Sequence, residues 1–119
     1  MGEKVEDRGV GQLGAFEQLI LFTVVRLGDE AYGLAIRDAI KERTGRTTSP
    51  GAIYTTLGRL EGRGLVTSGT NVPSSGRGGR PRRYYTLEPQ GARALMDAHA
   101  TNQTVAEGLM PTLAELAEG

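Results

Sequence analysis

The stretch SPGAIYTTLGRLEGRGLV, residues 49–66, has the markers of a helix that leads directly into a strand. Ser49 is a favourable N-cap residue and Pro50 suits the first helical position. Gly64 is typical of the residue that follows a helix end. The apolar residues that recur at helical spacing are Ile53, Leu57 and Leu60. We therefore predict a helix that begins at Pro50 and ends at Gly64, with one buried face, followed by a short strand at 65–68.

The opposite face of this helix carries small residues and a single charge. Its members are Gly51, Thr55, Gly58, Arg59 and Gly62, with Tyr54 on one shoulder and Thr56 and Arg63 on the other. Glycine inside a helix costs about 0.8–1 kcal/mol relative to alanine, so this face favours a ligand lying close to the backbone. Thr55 and Arg59 can donate to base edges or phosphates. A poor helix held only by its buried face is the alternative interpretation.

Two helices are predicted before this one. The first covers 13–27, and its apolar residues occupy most of the circumference, which indicates burial on more than one side. In a chain of this size a second buried side suggests a partner subunit. The second helix covers 33–44, and its predicted inward residues are Leu34, Ile36, Ala39 and Ile40.

A hairpin and a helical tail are predicted after it. Residues 82–87 form the second strand, with Tyr85 and Leu87 on the core side, and the intervening 69–81 is too polar and broken for regular structure. Pro89 opens the tail, which Gly108 and Pro111 are expected to break or kink.

This order of elements predicts a mainly α fold with a small β-hairpin. We interpret it as a winged helix-turn-helix with a C-terminal dimerisation helix, in which the third helix enters a DNA major groove. The predicted divisions are a flexible N-terminal segment at 1–12, the DNA-binding domain at 13–88 and a helical dimerisation region at 89–119.

The formal net charge is zero, but the charges are segregated along the chain. Residues 37–93 hold eleven Lys or Arg against four Asp or Glu, whereas 1–36 and 94–119 are both net negative. This pattern predicts that the middle of the chain meets an anion. Chance clustering of charge on solvated faces is the alternative.

Much of the positive charge lies in RGGRPRRYY, residues 77–85. At a hairpin tip beside a recognition helix, arginines can neutralise phosphates or enter the minor groove. The predicted wing contacts are Arg77, Arg80, Arg82 and Arg83. A solvated loop without a ligand is the alternative.

With these segments in place, the chain resembles the PadR family of bacterial transcriptional regulators. The matching stretches are LILFTVVRLGDEAYGLAI (19–36), SPGAIYTTLGRLEGRGLV (49–66) and GRPRRYYTLEPQG (79–91). The resemblance implies a dimeric winged-helix repressor that binds double-stranded operator DNA and often releases it on sensing a small molecule. It assigns Ser49, Gly51, Tyr54, Thr55 and Arg59 to the recognition helix and Arg80, Arg82 and Arg83 to the wing.

The chain departs from the family pattern in two places. Glu88 stands where the family usually has threonine, so the hydroxyl cap of the tail helix is missing. The C-terminal part is short, which indicates the compact branch, and the absence of tryptophan argues against the aromatic drug-stacking pocket of some relatives. We expect the dimer to form through the first and last helices, using Leu19, Phe22, Leu95, Met96, His99 and Leu109.

Several other functions are disfavoured by the composition. The chain has no cysteine and a single histidine, His99, so thiolate metal sites are excluded and we expect no metal, no cofactor and no enzyme activity. GVGQLG at 9–14 matches a dinucleotide-binding pattern but follows no strand. The polar N-terminus and the absence of a long apolar run predict a cytoplasmic protein without a membrane partner.

Two rival functions remain open on the sequence. The RGG at 77–79 with its flanking arginines also fits an RNA-binding adaptor. A winged helix can alternatively serve as a protein-interaction module, since a fold does not fix a function.

Overall fold

The computed structural model describes residues 12–71 and 82–119. Most of the predicted N-terminal segment, and Arg77 and Arg80 of the predicted wing, lie outside these residues. The elements in chain order are α1 (Ala15–Leu27), a 3-10 turn (Gly28–Glu30), α2 (Gly33–Thr44), α3 (Pro50–Gly62), β1 (Val66–Asn71), β2 (Arg82–Leu87), α4 (Pro89–Ala106) and α5 (Met110–Glu118). The predicted mainly α fold with one small hairpin is confirmed.

Local signals set the ends of α3 as predicted. The Ser49 hydroxyl accepts a hydrogen bond from the backbone N–H of Ala52 at 3.0 Å, and Pro50 takes the first helical position. Gly64 has a φ of 78°, a left-handed conformation that side-chain-bearing residues rarely adopt. The chain can therefore turn out of α3 directly into β1.

The first strand is longer than predicted, because it continues to Asn71 rather than ending at residue 68. Gly69 and Thr70 favour turns by composition, but they pair with Tyr84 and Arg83 of the antiparallel partner strand. The wing, by which we mean β1, β2 and the residues between them, therefore has a stem of six paired positions.

The core forms where α1, α2, α3 and the wing stem meet. Its fully buried residues include Ile20, Leu21, Ile36, Ile40, Ile53, Leu57, Leu60, Leu65 and Val66. Tyr85 is buried and Leu87 packs against this core, as the alternation of β2 predicted. The prediction for Leu34 is wrong: its side chain is 43% exposed, since it lies about 160° around α2 from Ile36.

The second strand is held on both sides. Beside its pairing with β1, the backbone N–H of Tyr85 donates to the Ala31 carbonyl at 2.9 Å, and Tyr32 forms an isolated bridge with Tyr84. The segment that precedes α2 thus fixes the stem of the wing to the helical part of the fold.

The tail consists of α4 and α5: the start of α4 is closely packed, whereas α5 is exposed. A Cβ at Gly91 would overlap the Leu65 carbonyl oxygen, so α4 approaches β1 as closely as only glycine permits. Glu88 makes no side-chain cap for α4, and Pro89 takes the first turn, as expected. Gly108, with a φ of 81°, separates α4 from α5, which confirms the predicted break; α5 buries none of its residues.

Candidate nucleic-acid interface

The outward face of α3 is open to solvent along its length. Ile53, Leu57 and Leu60 face the core, and the exposed residues opposite them are Gly51, Tyr54, Thr55, Gly58, Arg59 and Gly62. Ser49 is also exposed, and its hydroxyl serves the helix cap. Thr56, predicted on the shoulder of the helix, is instead 3% exposed and belongs to the buried side.

Among the described residues, no neighbouring atom explains why two positions of this face are glycine. A Cβ built at Gly58 or at Gly62 would meet nothing within 4 Å. The surface beside Thr55 and Arg59 is therefore flat and close to the helix backbone. Such a surface admits a phosphate backbone or a groove wall to within contact of α3.

Tyr54 connects α3 to the start of α2. Its ring covers Gly33 so closely that a Cβ at Gly33 would overlap the ring carbons and the hydroxyl oxygen. Tyr54 is still 46% exposed, so it faces both the protein and the solvent in front of α3. The sequence placed Tyr54 on the recognition helix, but its contact with α2 was not foreseen.

The two described wing arginines are exposed at the stem, and both contact other side chains of the chain. Arg83 donates to the Ser68 hydroxyl at 2.9 Å, and that hydroxyl donates to Glu61 at 2.7 Å. This relay links both strands of the wing to the last turn of α3.

Arg82 lies over an aromatic pair at the other side of the stem. Its guanidinium carbon is 4.3 Å from the centroid of the Tyr32 ring, and the Tyr32 and Tyr84 rings meet edge to face at 5.4 Å. A side-chain hydrogen bond with Tyr84, with smaller contributions from Tyr32 and Glu30, raises the pKa of Arg82 above its ordinary value. Arg82, which like any arginine carries a positive charge, thus lies at the outer end of the stem.

Tyr32 and Gly33 are the residues that sequence reasoning missed at this site. Tyr32 contacts the wing through Tyr84 and Arg82, while Gly33 contacts α3 through Tyr54. The signal available in the sequence was Gly33 at the start of the α2 pattern, since glycine within a helical pattern often has a packing reason.

The residues predicted for a dimer interface fall into two groups. Phe22, Met96, His99 and Leu109 are exposed and Leu19 is partly buried, whereas Leu95 is only 5% exposed and belongs to the core of its own chain. Leu95 faces inward, on the side of α4 that packs against the rest of the fold. Phe22 and His99 meet edge to face at 5.5 Å across the same pair of helices.

A groove of about 590 Å³ lies between α1 and α2. Leu19, Phe22 and Ile40 form its apolar part, and Arg26 and Arg43 line it with positive charge.

Among the described residues no group of three or more His, Cys, Asp or Glu could hold a metal ion. Within the same ranges, none of the helices has the length and apolar character needed to cross a membrane.

A comparison with models of protein families finds a match over most of the chain. The family model described as "Transcriptional regulator PadR-like family" matches residues 21–97, which include α3, the wing and the start of α4. No curated protein matches the chain at a significant level.

Solved structures share the fold. A PadR family regulator from Clostridium difficile R20291 is 25% identical with a TM-score of 0.67, over 84% of this chain and 99% of that chain. One from Eggerthella lenta DSM 2243 is 26% identical with a TM-score of 0.65, over 81% of both chains. Bacillus subtilis PadR, solved in complex with operator DNA, is 24% identical with a TM-score of 0.61, over 71% of this chain and 46% of that chain.

Proposed function

The chain belongs to the PadR-like family of transcriptional regulators, and on that premise we propose that it is a sequence-specific repressor. It binds double-stranded operator DNA as a homodimer in the cytoplasm, and a small-molecule effector relieves that binding. The proposal assigns the protein a regulatory role and no catalytic one.

The observation that carries the proposal is the exposed face of α3. Gly58 leaves the helix backbone open, and Arg59 and Thr55 project on the same side. A helix with this face fits a major groove, where arginine makes bidentate contacts with guanine and threonine can contact bases or phosphates. We propose Ser49, Gly51, Tyr54, Thr55 and Arg59 as the contacts of the recognition helix.

The wing supplies the second proposed DNA contact. Arg82 and Arg83 are exposed at its stem, and Arg77 and Arg80 precede them in the sequence. Arginines in this part of the chain favour neutralisation of phosphates on the adjacent backbone or entry into the minor groove, and we propose Arg77, Arg80 and Arg83 for that role. Bacillus subtilis PadR, of the same fold, is known in complex with operator DNA, which supports double-stranded DNA as the partner.

A homodimer would bury apolar surface that a single chain leaves in water. Large exposed apolar side chains lie on α1, α4 and α5; they are Phe22, Val25, Met96, Val105, Leu109, Met110, Leu113 and Leu116. Apolar clusters of this kind mark protein interfaces. A two-fold dimer through these helices would present its two α3 helices to successive major grooves, about 34 Å apart.

The groove between α1 and α2 supports the effector part of the proposal. Its volume of about 590 Å³ lies within the usual range for small-molecule sites. It includes Phe22, which is also a proposed interface residue, so a bound molecule there would alter the dimer geometry. We expect Ala39→Trp, which narrows the groove, to abolish binding of any effector found by ligand screening.

The test is selection of duplexes from a random DNA pool by the full-length protein. The proposal predicts enrichment of one sequence with two-fold symmetry and half-sites about 10 base pairs apart. Arg59→Ala should relax the preference at one position of each half-site, because a side-chain contact to a base is lost. A pool that stays random would contradict the proposal, and stronger capture of RNA in a parallel selection would favour the RNA-binding alternative.

A further inference from the structure

The wing and the recognition helix are attached to adjacent residues of the fold. Tyr32 meets the wing through the edge of the Tyr84 ring and the guanidinium of Arg82. Gly33, the next residue, is covered by the Tyr54 ring of α3. The two proposed DNA-contacting elements are therefore fixed to one another through Tyr32 and Gly33, the N-cap and first residue of α2.

The Arg82 side chain is turned back toward this junction. Its guanidinium stacks at 4.3 Å on Tyr32, a residue 50 positions earlier in the sequence. Arg82 is also the first residue of β2, directly after the segment that carries Arg77 and Arg80. A contact at this point restrains the outer end of the stem.

The stacking is reinforced by the backbone beneath it. The Tyr85 N–H bonds the Ala31 carbonyl at 2.9 Å, and the Tyr32 ring packs on Tyr84. Two consecutive residues of β2, Tyr84 and Tyr85, thus run alongside the segment before α2. Cation–π stacking adds a side-chain restraint to a pairing that is short in backbone hydrogen bonds.

We propose that Arg82 is a positioning residue: it holds the wing at a fixed orientation to α3 by stacking on Tyr32, instead of serving as a phosphate ligand. The inference rests on the proposed DNA-binding function and assigns different roles to two arginines of that site. Arg59 contacts DNA, whereas Arg82 acts through Tyr32.

The DNA test compares Arg82→Ala and Tyr32→Leu, with Tyr32→Phe as the control that keeps a ring under the guanidinium. On the selected duplex, both test variants should bind roughly two- to fivefold more weakly, the double variant no more weakly than either, and the control like the wild type. Tyr32→Leu removes no charge, and Tyr32→Phe shows whether the hydroxyl itself contacts a phosphate. If Tyr32→Leu binds normally while Arg82→Ala lowers the salt slope by about one, Arg82 is a phosphate ligand and the inference fails.

A second readout needs no DNA. Hydrogen exchange of the Tyr85 amide reports the hydrogen bond between β2 and Ala31 in the free protein. We expect exchange roughly two- to fivefold faster in Arg82→Ala and in Tyr32→Leu, and unchanged in Tyr32→Phe. Unchanged exchange in both test variants would overturn the inference whatever the DNA result. If the wild-type protein selects no preferred DNA sequence, the proposed function is contradicted. Faster exchange of the Tyr85 amide in the two test variants would still support the restraint by Arg82.

Discussion

The ring of Tyr54 lies directly against the backbone of Gly33, in the space that a Cβ would occupy. Tyr54 lies in the second turn of α3, on its exposed side, and Gly33 is the first residue of α2. The contact fixes how the two helices of the helix-turn-helix meet. It also orients an aromatic side chain at the edge of the proposed DNA-binding face.

Replacing Gly33 with alanine should displace the Tyr54 ring. Overpacking typically destabilises a protein by about 1–3 kcal/mol, and the exposed half of Tyr54 gives the ring room to rotate, so we expect the lower end of that range. Urea unfolding measures the loss. The matched control is the same substitution in a Tyr54→Ala background, where alanine at residue 33 meets no ring and should cost less than about 0.5 kcal/mol. Equal losses in the two backgrounds would show that the contact is not the cause.

Gly58→Ala should separate stability from DNA binding. Space around Gly58 is open and its backbone is helical, so alanine should raise the free energy of unfolding by about 0.5–1 kcal/mol. The added methyl group would hold DNA away from the helix, and affinity for the selected duplex should fall several-fold. Gly45→Ala is the contrast: its surroundings are equally open, but its φ of 78° predicts destabilisation. Unchanged affinity in Gly58→Ala would leave the glycine without a role in binding.

Added charge on the apolar side of α5 should dissociate the dimer. Leu113 and Leu116 are 50% and 70% exposed and lie on one side of a helix that buries no residue in its own chain. Leu113→Glu with Leu116→Glu should therefore yield a folded monomer at micromolar concentration in analytical ultracentrifugation. Ala114→Glu adds charge on the other side of α5 and should leave the dimer intact. A wild-type monomer, or a dimer that survives both leucine substitutions, would contradict the proposed interface.

The stability of the fold should decline in alkali because of Tyr85. Burial raises the pKa of the Tyr85 phenol above its ordinary value of about 10. The unfolded chain therefore releases this proton first, and the free energy of unfolding falls as the pH rises above about 10. Urea midpoints measured between about pH 8 and pH 11 test this, with Tyr85→Phe as control. The same decline in Tyr85→Phe would assign the effect to another group.

The helices were predictable because their signals are local. Ser49, Pro50 and Gly64 mark the ends of α3 within a few residues of one another, and the spacing of Ile53, Leu57 and Leu60 identifies its buried side. The angular position of each residue around the helix also predicted the exposed face, which carries the glycines, Thr55 and Arg59. The resemblance to the PadR family identified the fold. The stretches that carry the resemblance contain the core and the stem of the wing.

The contacts between distant segments were not predictable in this way. The end of β1 depends on pairing with residues beyond the intervening loop, and turn-forming Gly69 concealed it. Leu95 was predicted at a dimer interface, but it lies in the core of its own chain, where packing between distant elements decides its burial. The stacking of Arg82 on Tyr32 joins residues that no periodicity connects, so arginine content alone could not distinguish a restraint on the wing from a phosphate contact.

The most direct test of the central claim is fluorescence anisotropy with duplex DNA from upstream of the protein's own gene. A scrambled duplex of the same composition is the control, and salt is raised from about 50 to 200 mM. We predict that the upstream duplex binds far more tightly and that its advantage persists as both affinities fall with salt. If both duplexes bind equally and dissociate together, the arginines provide only charge attraction, and the protein is not a sequence-specific repressor of that promoter.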